Sequence, residues 1–192
     1  MEDVSSEKFY DMIIEAGALF IWFFHYMPVG NDASVELLLT PEQRENMYHR
    51  IRHFRETKPI FGMDFQNDGE YVGGCIAGGR RYLHINANGD VEPCVFIHYS
   101  NANIHDCTLL EALKSPIFQA YHDNQPFNNN DLRPCPMLEN PECLPKLVNE
   151  TKAVNTDYQS KESVEHLCEK CVPYAENWKP VAEKLWNEKK RK

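Results

Sequence analysis

Apolar residues recur at helical spacing in some stretches and crowd at strand spacing in others. From about Ser5 to Ala16, Phe9, Met12, Ile13 and Ala16 fall on one stripe, and Gly17 suits the end of that helix. The run Ala18–Met27 is almost continuously apolar and aromatic and is closed by Pro28 and Gly30, a pattern that predicts a strand covered on both faces. A second helix is predicted from Pro41. Thr40 is a good N-cap, Gln43 completes a capping box, and Met47, Ile51 and Phe54 form the apolar face up to Lys58-Pro59. Ile60–Phe65 then reads as a second strand. Helix, strand, helix, strand is the start of a right-handed βαβ arrangement, which needs further strands to cover its edges.

The middle of the chain changes rhythm. Arg81–Ala87 and Val91–Phe96 alternate and meet at Asn88-Gly89, a strong hairpin signal because both turn positions tolerate positive φ. Leu83 and Ile85 would face one side, with Tyr82, His84 and Asn86 on the other. One cysteine, Cys75, enters this hairpin and another, Cys94, lies on its second strand, so folding at Gly89 carries two distant thiols towards a common point. Further on, Thr108 and Glu111 form a second capping box, with Leu113, Ile117 and Tyr121 on the apolar face and Pro116 bending or splitting the helix. Asn-rich Phe127–Arg133 reads as loop. In Pro134-Cys135-Pro136 two prolines fix the backbone around a single thiol, a preorganised setting that suits a metal ligand. An amphipathic helix is predicted from about Pro180, with Val181, Leu185 and Trp186 inward, and no internal repeat is visible.

The spacing Cys75-x13-Gly89-x4-Cys94 resembles the opening signature of the SPASM/Twitch auxiliary-cluster domains of radical SAM enzymes, which runs Cys, nine to fifteen residues, Gly, four residues, Cys. Gly-Gly-Cys75-Ile-Ala-Gly-Gly and Asn-Gly-Asp-Val-Glu-Pro-Cys94 are similar to that family too, as is a third cysteine, Cys135, after a gap. The resemblance implies an α/β chain in three parts: residues 1–70 as the last βα units of a partial (βα) barrel, residues 71–147 as a small α+β cluster-binding domain, and residues 148–192 as a helical tail. It implies Cys75, Cys94 and Cys135 as ligands of an auxiliary 4Fe–4S cluster. The fourth ligand stays open between Cys143, Cys107, His98 and a position left for substrate. His25, Tyr26 and Met27, at the carboxyl end of the first strand, are expected to line the S-adenosylmethionine or substrate cavity.

The family's Cys-x3-Cys-x2-Cys motif, which holds the cluster that cleaves S-adenosylmethionine, occurs nowhere in the sequence. The expectation is therefore a C-terminal fragment. S-adenosylmethionine and a second 4Fe–4S cluster would bind only to the full-length enzyme, this chain alone would be inactive, and the missing N-terminal barrel portion would be a partner. The substrate implied is a peptide or a small molecule.

Charge and cysteine usage narrow the field. A net charge of −9 argues against nucleic acid, and the one basic run, Lys189–Lys192, reads as a solvated tail. The first residues lack the pattern of a secretory signal, and the longest apolar run is too short to cross a bilayer, so a cytoplasmic protein without a membrane partner is expected. Seven cysteines cannot all pair within one chain, which favours metal ligation with some free thiols. The rival reading is a non-catalytic module whose zinc is held by four of them. Cys168-x2-Cys171 would join Cys135 and Cys143 there, or serve a second cluster, or be two neighbouring thiols on a helix. Arg80 and Arg81 either bind an anion beside the site or solvate the hairpin, and His84 reads as a surface or packing histidine.

Overall fold

The computed structural model describes residues 3–190; Met1, Glu2, Arg191 and Lys192, which belong to the amino-terminal segment and the basic run read above, lie outside the described residues. Helix α1 (Glu7–Glu15) starts where the Ser6 hydroxyl accepts from the Phe9 amide, and Gly17 follows its end with φ +87°. Strand β1 (Phe20–Phe23) leads to α2 (Pro41–Thr57), whose capping box at Thr40 and Gln43 forms as predicted, and then to β2 (Phe61–Asp64). The two strands pair in parallel, Phe20 opposite Phe61 through Phe23 opposite Asp64. Tyr10, Phe23, Met47, Ile51, Phe54 and Ile60 pack into one core between this sheet and its helices.

Strand β1 is shorter than the apolar run suggested, and only one of its faces is covered. Phe23 is buried, but Phe20, Trp22 and Phe24 are exposed, as is Phe61 on β2. Their rings gather instead of dispersing: Phe24 lies 4.7 Å from Trp22 and 4.9 Å from Phe65, between centroids. The continuous hydrophobicity thus reflects a strand apolar on both faces, of which this chain covers one.

A short helix α3 (Gly69–Val72) precedes the hairpin of β3 (His84–Ile85) and β4 (Val91–Glu92). Strand β5 (Tyr99–Ser100) pairs with β6 (Val154–Asn155), a ladder without a sequence signal. Pro116 splits the predicted helix into α4 (Leu109–Ala112), capped by Thr108 and Glu111, and α5 (Pro116–Asn124). Helices α6 (Cys143–Thr151), α7 (Val164–Glu169) and α8 (Val172–Lys190) complete the chain, α8 beginning eight residues before Pro180, which it contains. The hairpin, α5, α6, α7 and α8 share a second, larger core that includes Ile117, Tyr121, Leu138, Leu144, Trp178 and Leu185. Lys189 does not act as a solvated tail: its ammonium pairs with Glu70. Among the described residues, no helix is long and apolar enough to cross a membrane.

Candidate iron–sulfur site

Three loops deliver three thiols to one cavity. Cys75 follows Gly73 and Gly74, both at positive φ, and its carbonyl accepts from Arg80 Nε at 2.8 Å. Arg80 also donates to the carbonyls of Val72 and Gly74, so its guanidinium ties down this loop. The Gly78 amide donates to the Pro93 carbonyl, which seats the Cys75 loop beside Cys94. Cys94 opens a tight turn closed by the Ile97 amide at 3.0 Å. Cys135, between its prolines, accepts from the Leu138 amide through Sγ at 3.4 Å.

The cavity has a volume of about 440 Å³, and Cys75, Cys94 and Cys135 lie on its wall. The rest of the wall is mainly apolar and comes from both halves of the chain: Trp22, Met63 and Phe65 from the parallel sheet, Phe96, Ile97 and Leu138 from the hairpin and the Cys135 loop. Asp64, Gln66 and Glu139 supply polar groups there.

The electrostatics of the thiols repeat from one to the next. Burial pushes Cys75 up to about 11 and Cys94 up to about 12, and raises Cys135 well above the ordinary value. Cys75 and Cys135 expose some surface, but it faces the cavity. Against this, each sulfur has a backbone amide two residues on that favours the thiolate: Ala77 for Cys75, Phe96 for Cys94, Met137 for Cys135, where Leu138 adds another. The Leu138 amide meets its sulfur as a hydrogen bond, and amides so directed tune the surroundings of a bound metal centre.

Tyr121 is fully buried, and among the described residues its hydroxyl has no hydrogen-bond partner. Burial raises its pKa well above the usual value, and Cys75, Cys94, Cys135 and Cys168 each add to the shift. Buried donors are rarely left unpaired in a finished structure. Three thiols from remote segments, their amides and a shared cavity fit an iron–sulfur cluster.

Most of the remaining expected residues are placed away from the cavity wall. Cys143 starts α6, partly exposed beside Glu142, off the cavity wall and electrostatically close to Cys168. Cys107 donates to the Asn103 carbonyl. Cys168 and Cys171 are buried at the α7–α8 junction, Cys171 with its thiol towards the Leu167 carbonyl. His84 and His98 both address Glu92, at 2.8 and 3.1 Å. Of the residues after β1, Met27 lines the cavity, Tyr26 stays off its wall, and His25 is buried with Nε2 3.3 Å from Asp64. Burial works to raise the Asp64 carboxyl, but His25, Asn67 and Arg44 hold it below the usual carboxylate range.

Among the described residues, no three His, Cys, Asp or Glu side chains stand close enough to share one metal ion. Tetrahedral zinc with Zn–S near 2.3 Å needs sulfurs roughly 3.8 Å apart. Thiolates of an iron–sulfur cube sit on separate irons and stand further apart, around a cavity.

Two supporting residues carried no motif. Glu92 is fully buried on the hairpin and accepts from Asn86 and Thr156 as well as facing the two histidines. Arg44 is fully buried on α2. Its signal in the sequence is position: it falls on the same helical stripe as Met47, Ile51 and Phe54, where a charge is out of place.

A family model described as an iron–sulfur cluster-binding domain, SPASM, matches residues 75–143, a domain found in radical SAM enzymes. The matched span starts at the first of the three cavity thiols and includes the other two. Neither the curated proteins nor the solved structures give a match.

Proposed function

We propose that this chain is the auxiliary-cluster end of a radical SAM enzyme. Residues 75–143 would hold one 4Fe–4S cluster through Cys75, Cys94 and Cys135, and residues 1–70 would form the last βα units of the barrel beside it. The observation that carries this reading is the meeting of three sequence-remote thiols on one cavity inside the matched span. When bound, such a cluster supplies a one-electron redox centre or a site for substrate.

The chain's own residues set the conditions for that chemistry. The amides of Ala77, Phe96 and Met137 stabilise the thiolates, and Phe96, Ile97 and Leu138 keep bulk water from them. Asp64 and Gln66, at the carboxyl end of β2, present polar groups across the same cavity, where substrates bind in βα barrels. The exposed aromatic face of β1 and β2 supports the loss of a neighbour. A parallel pair of strands with Phe20, Trp22 and Phe61 open to water is an incomplete structure, and the missing N-terminal barrel portion would cover it. The substrate, a peptide or a small molecule, would reach the cavity from that side.

The test is anaerobic reconstitution with iron and sulfide, followed by metal and sulfide analysis. About four irons and four sulfides per chain, with a broad visible absorption band lost in Cys75→Ala and Cys94→Ala, is the expected result. A colourless protein with one zinc would overturn it.

A further inference from the structure

Arg44 and Glu139 come from opposite halves of the chain and meet in direct contact in the interior. Both side chains are fully buried, and Arg44 Nη1 donates to Glu139 Oε1 at 2.6 Å. The other guanidinium donors are also used: Nε to Asn67 Oδ1 at 2.8 Å, Nη1 to the Tyr174 hydroxyl at 2.9 Å, Nη2 to the carbonyls of Gln66 and Leu132. The guanidinium stacks on the Trp178 ring at 4.2 Å, and the Trp178 indole donates to the same Leu132 carbonyl. Only a planar fork with five donors can satisfy this set; an ammonium cannot.

The second carboxylate oxygen of Glu139 faces the site. Oε2 accepts from the Cys135 amide at 2.8 Å, and Glu139 lies on the cavity wall beside that cysteine. Asn140 closes the loop from the other direction, donating to the carbonyls of Arg133 and Cys135. A buried ion pair adds little net stability, because desolvation offsets the attraction. The geometry here does something else: it runs unbroken from α2 through a carboxylate to the backbone of a thiol.

We propose that Arg44 and Glu139 are positioning residues that fix Cys135 at the cavity and place a balanced pair of charges beside whatever centre the thiols hold. This inference rests on the function proposed above. With both charges present the pair is nearly neutral towards the centre. Removing the carboxylate leaves a cation that favours the reduced, more negative state, and removing the guanidinium leaves an anion that opposes it.

Two measurements test it. In the cluster-free protein, amide hydrogen exchange over Cys135–Asn140 is compared between wild type, Glu139→Ala and Arg44→Lys. The expected result is exchange at the Cys135 amide at least tenfold faster in both variants, with the α1–β1 region unaltered. In the reconstituted protein, the midpoint potential is measured for Glu139→Gln and Arg44→Gln. The expected shifts have opposite signs, up for Glu139→Gln and down for Arg44→Gln, each of at least tenfold in the reduction equilibrium or 59 mV for one electron. Should Arg44→Gln fail to fold, Arg44→Lys replaces it and keeps the wild-type potential while exchange rises. Unchanged exchange at Cys135, or shifts of the same sign, would overturn the inference. If the wild type takes up no iron and sulfide, the proposed function fails, and the exchange comparison still decides the roles of Arg44 and Glu139.

Discussion

Gly78→Ala probes how tightly the Cys75 loop is seated. Gly78 has φ +66°, and a Cβ there would lie 2.5 Å from both Cβ and Cδ1 of Tyr121, a fully buried side chain on α5. Two costs combine: the left-handed conformation of an alanine, about 1–2 kcal/mol, and overpacking against a ring with no room to move, about 1–3 kcal/mol. Gly73→Ala is the matched control. Its φ of +72° imposes the same conformational cost, but the nearest atom to its Cβ would be Arg80 Nη1 at 3.6 Å, ordinary contact. Gly78→Ala should therefore destabilise the cluster-free protein by about 2–5 kcal/mol and Gly73→Ala by about 1–2 kcal/mol. Urea unfolding monitored by tryptophan fluorescence and by circular dichroism measures both. For a chain of this length the difference corresponds to a melting temperature lower by several degrees, at about 2–4 °C per kcal/mol. Equal losses in the two variants would refute the close packing of the Cys75 loop on Tyr121.

Other outcomes follow from the buried groups. Because Cys75 and Cys94 titrate at about 11 and about 12 when folded, above the ordinary thiol, the cluster-free protein should keep its stability up to the unfolded thiol value and lose it as pH rises through that range. Loading must displace those protons, so metal uptake should strengthen with pH around neutrality, as proton release on titration would show. His98 is held above the usual histidine value chiefly by its hydrogen bond to Glu92. Its contribution to stability is full at low pH and fades as pH rises through the elevated value. Glu92→Gln should lower the His98 pKa in an NMR titration and flatten that pH dependence; an unmoved His98 would contradict the pairing. Tyr121→Phe removes a buried hydroxyl that has no partner among the described residues and should stabilise the cluster-free protein by about 1 kcal/mol in urea unfolding. Destabilisation would mean that the hydroxyl is satisfied after all.

Local chemistry was legible where one residue type decides the backbone. The capping boxes at Thr40 and Thr108, the break at Pro116 and the turn at Gly89 all follow from rules that act within a few residues. The candidate site was legible for a related reason: Cys75, Gly89, Cys94 and the prolines about Cys135 carry spacing and rigidity in the sequence itself. What lay hidden depended on tertiary context. Ile85 is exposed while His84 turns to the buried Glu92, the reverse of what hydrophobicity alone would choose, because a carboxylate inside needs donors more than an isoleucine needs cover. Nothing local marks Glu139 as the partner of Arg44, 95 residues away. The strand in Ala18–Met27 was visible as apolar, but the pattern does not tell which neighbour covers each face, and this chain covers only the face bearing Phe23.

Anomalous diffraction at the iron absorption edge, from crystals of the anaerobically reconstituted protein, examines the convergence of the three thiols directly. The account predicts one compact iron peak bonded to the sulfurs of Cys75, Cys94 and Cys135. Iron at Cys143, Cys168 and Cys171 instead, or no iron within bonding reach of the three cavity thiols, would contradict it.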